Sequence, residues 1–427
     1  MKKVLIITYY WPPAGGPGVQ RWLKFVNYLP DFNINPIVYC PKNPSYPVLD
    51  QSLKVDIDDN LTVLKTNIWE PHRWLKLGFK NKSSRFSKGL IPNKSNQSLL
   101  DRFLLSIRGN YFVPDSRKFW IKPSVKYLSN YLLKHQIDTI ITTGPPHSLH
   151  LIGMKLKTKH NLKWIADFRD PWTAIGYHSA LNLSKHTSAL HKNLEHQVLN
   201  AADHIISTSN ATKHLFESQT TRPVTAITNG FDTQKPKNHT LDKRFTLTHI
   251  GALHPDRNPT LLWVALSQIL NENLEFTADF ELVLVGEISP EVRQSLREHG
   301  LESALKCVGT VAHSEAVRFQ FQTQVLLLIE ANTEAASYII PGKLFEYLNA
   351  NRPIMAIGPE TSDISGILEH TQTGAYFDYT NVTALKTHIL SLYKAYKTSQ
   401  LIVTPRNIEK YSRYHCTQQL SQVLNSL

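Results

Sequence analysis

Apolar and polar positions alternate along this chain in two long series of strand-like and helix-like segments. "KVLIITYY" at 3–10 is an unbroken apolar run that reads as a buried strand. "GVQRWLKFVNYL" at 18–29 follows, with Val19, Trp22, Leu23, Phe25, Val26 and Leu29 spaced along one helical face. "NPIVYC", "DTIITTG", "KWIADF" and "DHIISTS" predict further strands, with helices through "HSLHLIGMKLKTKH" and around 186–201. Strands alternating with helices imply parallel pairing through right-handed crossovers, hence a Rossmann-like half.

Hydrophobicity then drops in "NGFDTQKPKNHTLDKR", which gathers turn formers and reads as a linker. The alternation restarts with "FTLTHIG" as strand and "PTLLWVALSQIL" as helix. "DFELVLVGE", "LKCVGTV", "VLLLIEA" and "RPIMAIG" predict strands. "SPEVRQSLREHG", "GKLFEYLNAN" and "SDISGILEH" predict helices, the first with Ser289 as N-cap and Pro290 at its first position. "TGAYFDY" leads into a final helix pair. This half reads as the fuller of the two. The expected fold class is α/β: two doubly wound Rossmann-like domains facing a central cleft. The boundaries are 1–232, 243–405, and a C-terminal helical segment 406–427 that returns to the first domain. In such folds ligands sit at the carboxyl ends of the strands.

Composition supports this picture. At 427 residues and 41% hydrophobic, the chain has enough apolar material for two full cores. Lys2 and Lys3 before "VLII" resemble the start of a secretion signal. The apolar run is too short for one, and Trp11-Pro12-Pro13 stands where small residues would mark cleavage. No stretch approaches a membrane span. The three cysteines, Cys40, Cys307 and Cys416, match no metal spacing and suit a reducing compartment, so a cytoplasmic protein is expected.

Charge adds one feature. The formal net charge is +13, and residues 70–126 hold 13 Lys or Arg against 3 Asp or Glu, a balance of +10. Aromatic residues such as Trp74, Phe79, Phe112 and Trp120 lie among these cations. That mixture suits an anionic membrane surface, here the inner face of the cell membrane, and also suits an ordinary solvated basic face. Nucleic acid would feel the same field, but no nucleic-acid motif accompanies it.

Two stretches carry candidate chemistry. In "IIPGKLFEYLNANRPIMAIGP", Lys343 and Glu346 sit three apart at a helix start, where free N–H groups and a partial positive charge favour phosphate. Glu346 could accept from ribose hydroxyls, and the pair also suits an ordinary surface helix. In "THIGALHPDRNP", a strand ends at Gly251 and Arg257 could bind a diphosphate bidentately. "LVGE" repeats the arrangement one strand later. In "ADFRDPW", Asp167, Arg169 and Asp170 crowd the end of a buried strand, either as a loop brace built on Arg169 or as donor and acceptor contacts. His147 in "GPPHSLH" lies at another strand end, where it could cap a helix or meet substrate.

Together with "YYWPPAGGPGVQRWLKFVNYL", "VPDSRKFW", "ADHIISTSNAT" and "ITNGFD", these stretches resemble the retaining family 4 glycosyltransferases of GT-B fold, of bacterial surface-polysaccharide type. The resemblance runs along nearly the whole chain. It implies transfer of a sugar from a UDP- or GDP-linked donor to a saccharide or lipid-linked acceptor, with retention, without metal or other cofactor and without nucleic acid. It places Gly15, Gly16, Asn229, Gly251, Arg257, Lys343 and Glu346 on the donor. Asp167, Asp170 and His147 join Arg257 and Lys343 as catalytic candidates, while Arg169, Asp115 and Trp120 fall on the acceptor side.

The sequence departs from the family twice. Tyr338 stands where many members have a glutamate eight residues before the ribose glutamate, with Glu330 and Glu334 as upstream substitutes. Ala252 stands where many have arginine. The same fold also serves nucleotide-sugar 2-epimerases, the alternative reading. A basic nucleic-acid-binding protein is a remote third.

Overall fold

The computed structural model describes residues 1–71, 105–106, 109–175, 181–233 and 240–427. They divide into two compact units, Met1–Asn229 with Arg413–Leu427, and Gly230–Ser412.

The first unit is built on a parallel sheet of order β3-β2-β1-β4-β5-β6-β7. Its strands are β1 (Lys2–Ile7), β2 (Ile34–Pro41), β3 (Thr62–Thr66), β4 (Thr139–Gly144), β5 (Lys163–Phe168), β6 (His204–Ser207) and β7 (Val224–Ala226). The opening run, expected as a buried strand rather than a signal, is β1, whose Val4–Ile7 side chains are wholly buried beside β2 and β4. Gly16 turns the chain at φ 112° into the helix Pro17–Tyr28, with proline in its first turn. That helix buries Val19, Trp22, Leu23, Phe25 and Val26, the stripe its spacing predicts. The helix Arg413–Ser426 packs Cys416, Leu420, Val423 and Leu424 into the same core layer.

The second unit carries a parallel sheet of order β10-β9-β8-β11-β12-β13. These are β8 (Phe245–Ile250), β9 (Phe280–Val285), β10 (Leu305–Gly309), β11 (Val325–Ile329), β12 (Ile354–Ile357) and β13 (Gly374–Phe377). Ser289 caps the helix Pro290–Glu298 by accepting from the Val292 amide.

Three expectations change. The first unit has seven strands against six, because β3 and β7 are short segments with weak apolar patterning. The unit boundary lies at 229/230 rather than after 232. Residues 406–412 stay with the second unit, where the Phe231 amide donates to the Tyr411 carbonyl at 3.1 Å, so the return begins at Arg413 rather than 406. Residues 72–104 and 107–108, most of the basic stretch, lie outside the described residues.

Candidate functional site

In the second unit the sheet's carboxyl ends converge on one anion-seeking group. β8 ends at Ile250 and runs into Gly251, φ 135°, whose amide donates to the Val285 carbonyl at 2.8 Å. A Cβ on Gly286 would fall 2.4 Å from the Gly251 carbonyl oxygen, so the two strand-end turns lie together only because residue 286 has no side chain.

A Cβ on Gly251 would lie 2.6 Å from Lys343 Nζ and 3.7 Å from His249 Nε2. Lys343 is the second residue of the helix Gly342–Ala350, whose N-cap, Pro341, offers no side-chain bond to the first-turn amides. A cation and open helix N–H groups therefore share one place. The lysine ammonium occupies the space a side chain at position 251 would take.

Arg257 approaches from the turn after β8. Its Nη2 lies 3.9 Å from Oε2 of Glu330, a carboxylate that directly follows β11 and is 3% exposed. Burial drives the Glu330 pKa upward while Arg257 and Lys343 pull it back. Burial pushes Lys343 down to about 8, Glu330 resisting and Arg257 reinforcing. His249 is fully buried and its Nδ1 donates to the Leu327 carbonyl at 3.1 Å, leaving Nε2 as the acceptor nitrogen. Burial and the two neighbouring cations hold its pKa well below the usual range.

Glu346 stands one turn along from Lys343. Its Oε2 accepts from Gln320 Nε2 at 2.7 Å, and His313 Nε2 lies 4.0 Å from Oε1. The carboxylate is thus oriented yet partly open. Gly251, Arg257, Lys343 and Glu330 are brought together; Glu334 is exposed on the short helix Glu334–Ser337.

In the first unit the residues expected to meet substrate have mixed fates. Asp167 has no exposed surface. It is bound by Arg21 Nη2 at 3.1 Å, Trp22 Nε1 at 2.8 Å and Thr143 Oγ1 at 2.7 Å. This carboxylate ties β5 to β4 and to the helix Pro17–Tyr28, which corrects its reading as a substrate-facing group. Its ionic partner is Arg21 rather than Arg169.

Arg169 instead donates to the Pro145 carbonyl, lies over the Tyr10 ring at 5.7 Å, and fills the space above Gly18, where a Cβ would fall 1.5 Å from its Nη1. Asp170 is partly buried, and that burial raises its pKa against the lowering influence of Arg169.

His147 is 3% exposed and stacks on Trp172 at 4.7 Å, with planes 3° apart. It precedes the helix Ser148–His160, but the cap is supplied by Asp115, which accepts from the Ser148 amide and hydroxyl, both at 2.9 Å. Asp115 therefore caps this helix. Trp120 is wholly buried, stacked on Tyr39 at 4.9 Å, and belongs to the core rather than an acceptor face. Gly15 lies against Val48 and Asp50, Gly16 faces open space, and Asn229 ends the unit.

Sequence reasoning missed His249, Gln320, Gly18 and Glu195, which holds the Trp172 and Thr173 amides. Glu330 was legible, as a glutamate upstream of Glu346.

Residues 90–235 match the model of Glycosyltransferase Family 4. That third of the chain is similar to the family 4 glycosyltransferase domain. Solved structures place that domain within a chain-long likeness. Anabaena HepE in complex with UDP aligns over 100% of both chains at 14% identity and a TM-score of 0.63. Sucrose-phosphate synthase from Thermosynechococcus elongatus aligns over 100% of this chain and 99% of its own, at 13% identity and 0.63. A Listeria monocytogenes protein assigned as a UDP-N-acetylglucosamine 2-epimerase aligns over 100% and 96%, at 12% and 0.57. At these identities the likeness establishes the fold, which is GT-B. No curated protein sequence matches the chain. Among the described residues, no helix is long and apolar enough to cross a membrane, and no group of three or more His, Cys, Asp or Glu could hold a metal ion.

Proposed function

We propose that this family 4 glycosyltransferase moves a hexosyl group from a UDP- or GDP-linked sugar to a saccharide or lipid-linked saccharide, with retention, in cell-surface polysaccharide or glycolipid synthesis. The observation that carries the donor half is the placing of Lys343 and Arg257 at an uncapped helix N-terminus beside Gly251. Such a group stabilises a leaving diphosphate by fixed charge, which is the main requirement of the transfer. Glu346, oriented by Gln320, accepts from the ribose hydroxyls. In the first unit, His147, Arg169 and Asp170 are the residues proposed to serve the acceptor. Asp115 stays an acceptor-side candidate beside its cap, while Asp167 and Trp120 are wholly buried.

A membrane-borne acceptor fits the described part of the basic stretch. Trp69, Tyr111 and Phe119 are 52%, 75% and 41% exposed, and Lys118 Nζ lies 5.6 and 5.4 Å from the Phe112 and Phe119 ring centroids. Exposed aromatics with cations suit a lipid headgroup layer. Neutralising several lysines of 76–94 lowers binding to anionic vesicles on this proposal; unchanged binding removes the membrane component.

The test of function is a thermal-shift screen of UDP- and GDP-sugars, followed by product analysis. A donor raises the melting temperature by mass action and donates its sugar only when acceptor is added. A nucleotide sugar altered without acceptor would instead show the 2-epimerase chemistry that one solved neighbour's name suggests. No shift with any nucleotide sugar would overturn both.

A further inference from the structure

Among the described residues, Glu330 differs from the buried carboxylates Asp167 and Glu195. Asp167 and Glu195 each accept several hydrogen bonds from side-chain and backbone donors. Glu330 is buried as deeply, yet among the described residues its Oε1 has no hydrogen-bond partner and its Oε2 lies 3.9 Å from Arg257 Nη2, an ion-pair distance too long for a hydrogen bond. Its main chain is fixed, the amide donating to the Ile357 carbonyl and the carbonyl accepting from Tyr379 Oη at 2.5 Å. A buried carboxylate left with little but two cations for company is costly as a brace and useful as a counter-charge.

We propose that Glu330 is the site's own counter-anion, occupying Arg257 and Lys343 between turnovers and competing with the diphosphate for them. This rests on the reading that Arg257 and Lys343 take the donor diphosphate. With Glu330 ionised, the three side chains sum to one positive charge; without it they sum to two. A dianion or trianion is then held less tightly than the cations alone would hold it, and the nucleoside diphosphate product leaves sooner. The nearby Asp256 adds to the same opposition. An acid at this position thus sets product release rather than donor recognition, a different duty from that of the glutamate whose family position Tyr338 occupies.

Inorganic pyrophosphate isolates the effect, since it has neither base nor sugar. Calorimetric titrations of pyrophosphate and UDP would be run on the full chain, on Glu330→Gln and Glu330→Asp, and on Lys343→Ala. Glu330→Gln is expected to bind pyrophosphate and UDP roughly tenfold more tightly, with slower release, the lower end of what one adjacent charge contributes. Glu330→Asp keeps the charge and stays within about threefold of the parent. Melting curves confirm folding of each variant. If Lys343→Ala weakens pyrophosphate binding but Glu330→Gln leaves it unchanged or weaker, the counter-anion proposal is overturned and the donor site stands. Weaker binding of a UDP-sugar alone in Glu330→Gln would make Glu330 a sugar contact and also overturn it. No binding of pyrophosphate or UDP by the parent chain would sink the donor reading, and this proposal with it.

Discussion

Lys343 occupies the space that a side chain on Gly251 would claim, its ammonium 2.6 Å from the ideal Cβ position. Gly251→Ala therefore combines backbone strain at φ 135° with displacement of the cation. The strain costs about 1–3 kcal/mol, read as a lower melting temperature. Affinity for nucleoside diphosphate falls with it. Adding Lys343→Ala to Gly251→Ala should weaken binding little further, because both remove the same contact. Fully additive losses would show that the two residues act separately.

Lys343 titrates near 8 because it is buried. Below that pH it carries its charge and holds phosphate; above it the charge is lost. Donor affinity is expected to decline as pH rises through about 8, and Lys343→Arg, which stays charged, should flatten that decline. A flat affinity profile from pH 7 to 9.5 in the parent enzyme would remove Lys343 from the phosphate.

Glu346 is half open and held by one glutamine, so its loss leaves little buried charge unbalanced. Glu346→Ala should keep the melting temperature within a few degrees. It should weaken donor binding by roughly 10- to 150-fold, the equivalent of about 1.5–3 kcal/mol for charged hydrogen bonds. Near-normal transfer would displace the ribose assignment.

Asp167 predicts the opposite division. Asp167→Ala strands the guanidinium of Arg21, 4% exposed, and should cost roughly 3–5 kcal/mol of stability. Activity per folded molecule should survive wherever the variant folds. An unchanged melting curve with activity abolished would return Asp167 to the chemistry.

His150 is held near 3 by burial, and buried His249 is also far below its ordinary value of 6.5. Below pH 6.5 the unfolded chain takes up protons that the folded chain refuses. Stability is fully present above that pH and declines as pH falls towards 3. The slope is up to about 1.4 kcal/mol per pH unit for each histidine. Urea melts between pH 7.5 and 4.5 should show this decline, and His150→Gln should make it shallower.

Much of the fold was legible because its strands are continuous apolar runs. "KWIADF" spans β5, and "FTLTHIG" overshoots β8 by one glycine. β3 was missed because "TVLKT" is half exposed, and β7 because three residues carry no period. At the candidate site, Lys343 and Glu346 are readable from local helix spacing. The Arg21–Asp167 pair is not, since its members stand 146 residues apart and only the folded sheet joins them. The cap made by Asp115 was illegible for a related reason: the helix it caps begins 33 residues on.

Gly18 and Arg169 bear on how this enzyme could be altered. The guanidinium lies where any side chain at position 18 would begin. A side chain at position 18 has to displace that flexible head group, and with it the contacts Arg169 makes to the Pro145 carbonyl and the Tyr10 ring. Two positions far apart in the gene are thus coupled through one guanidinium, and a change at position 18 is read out first in where Arg169 goes.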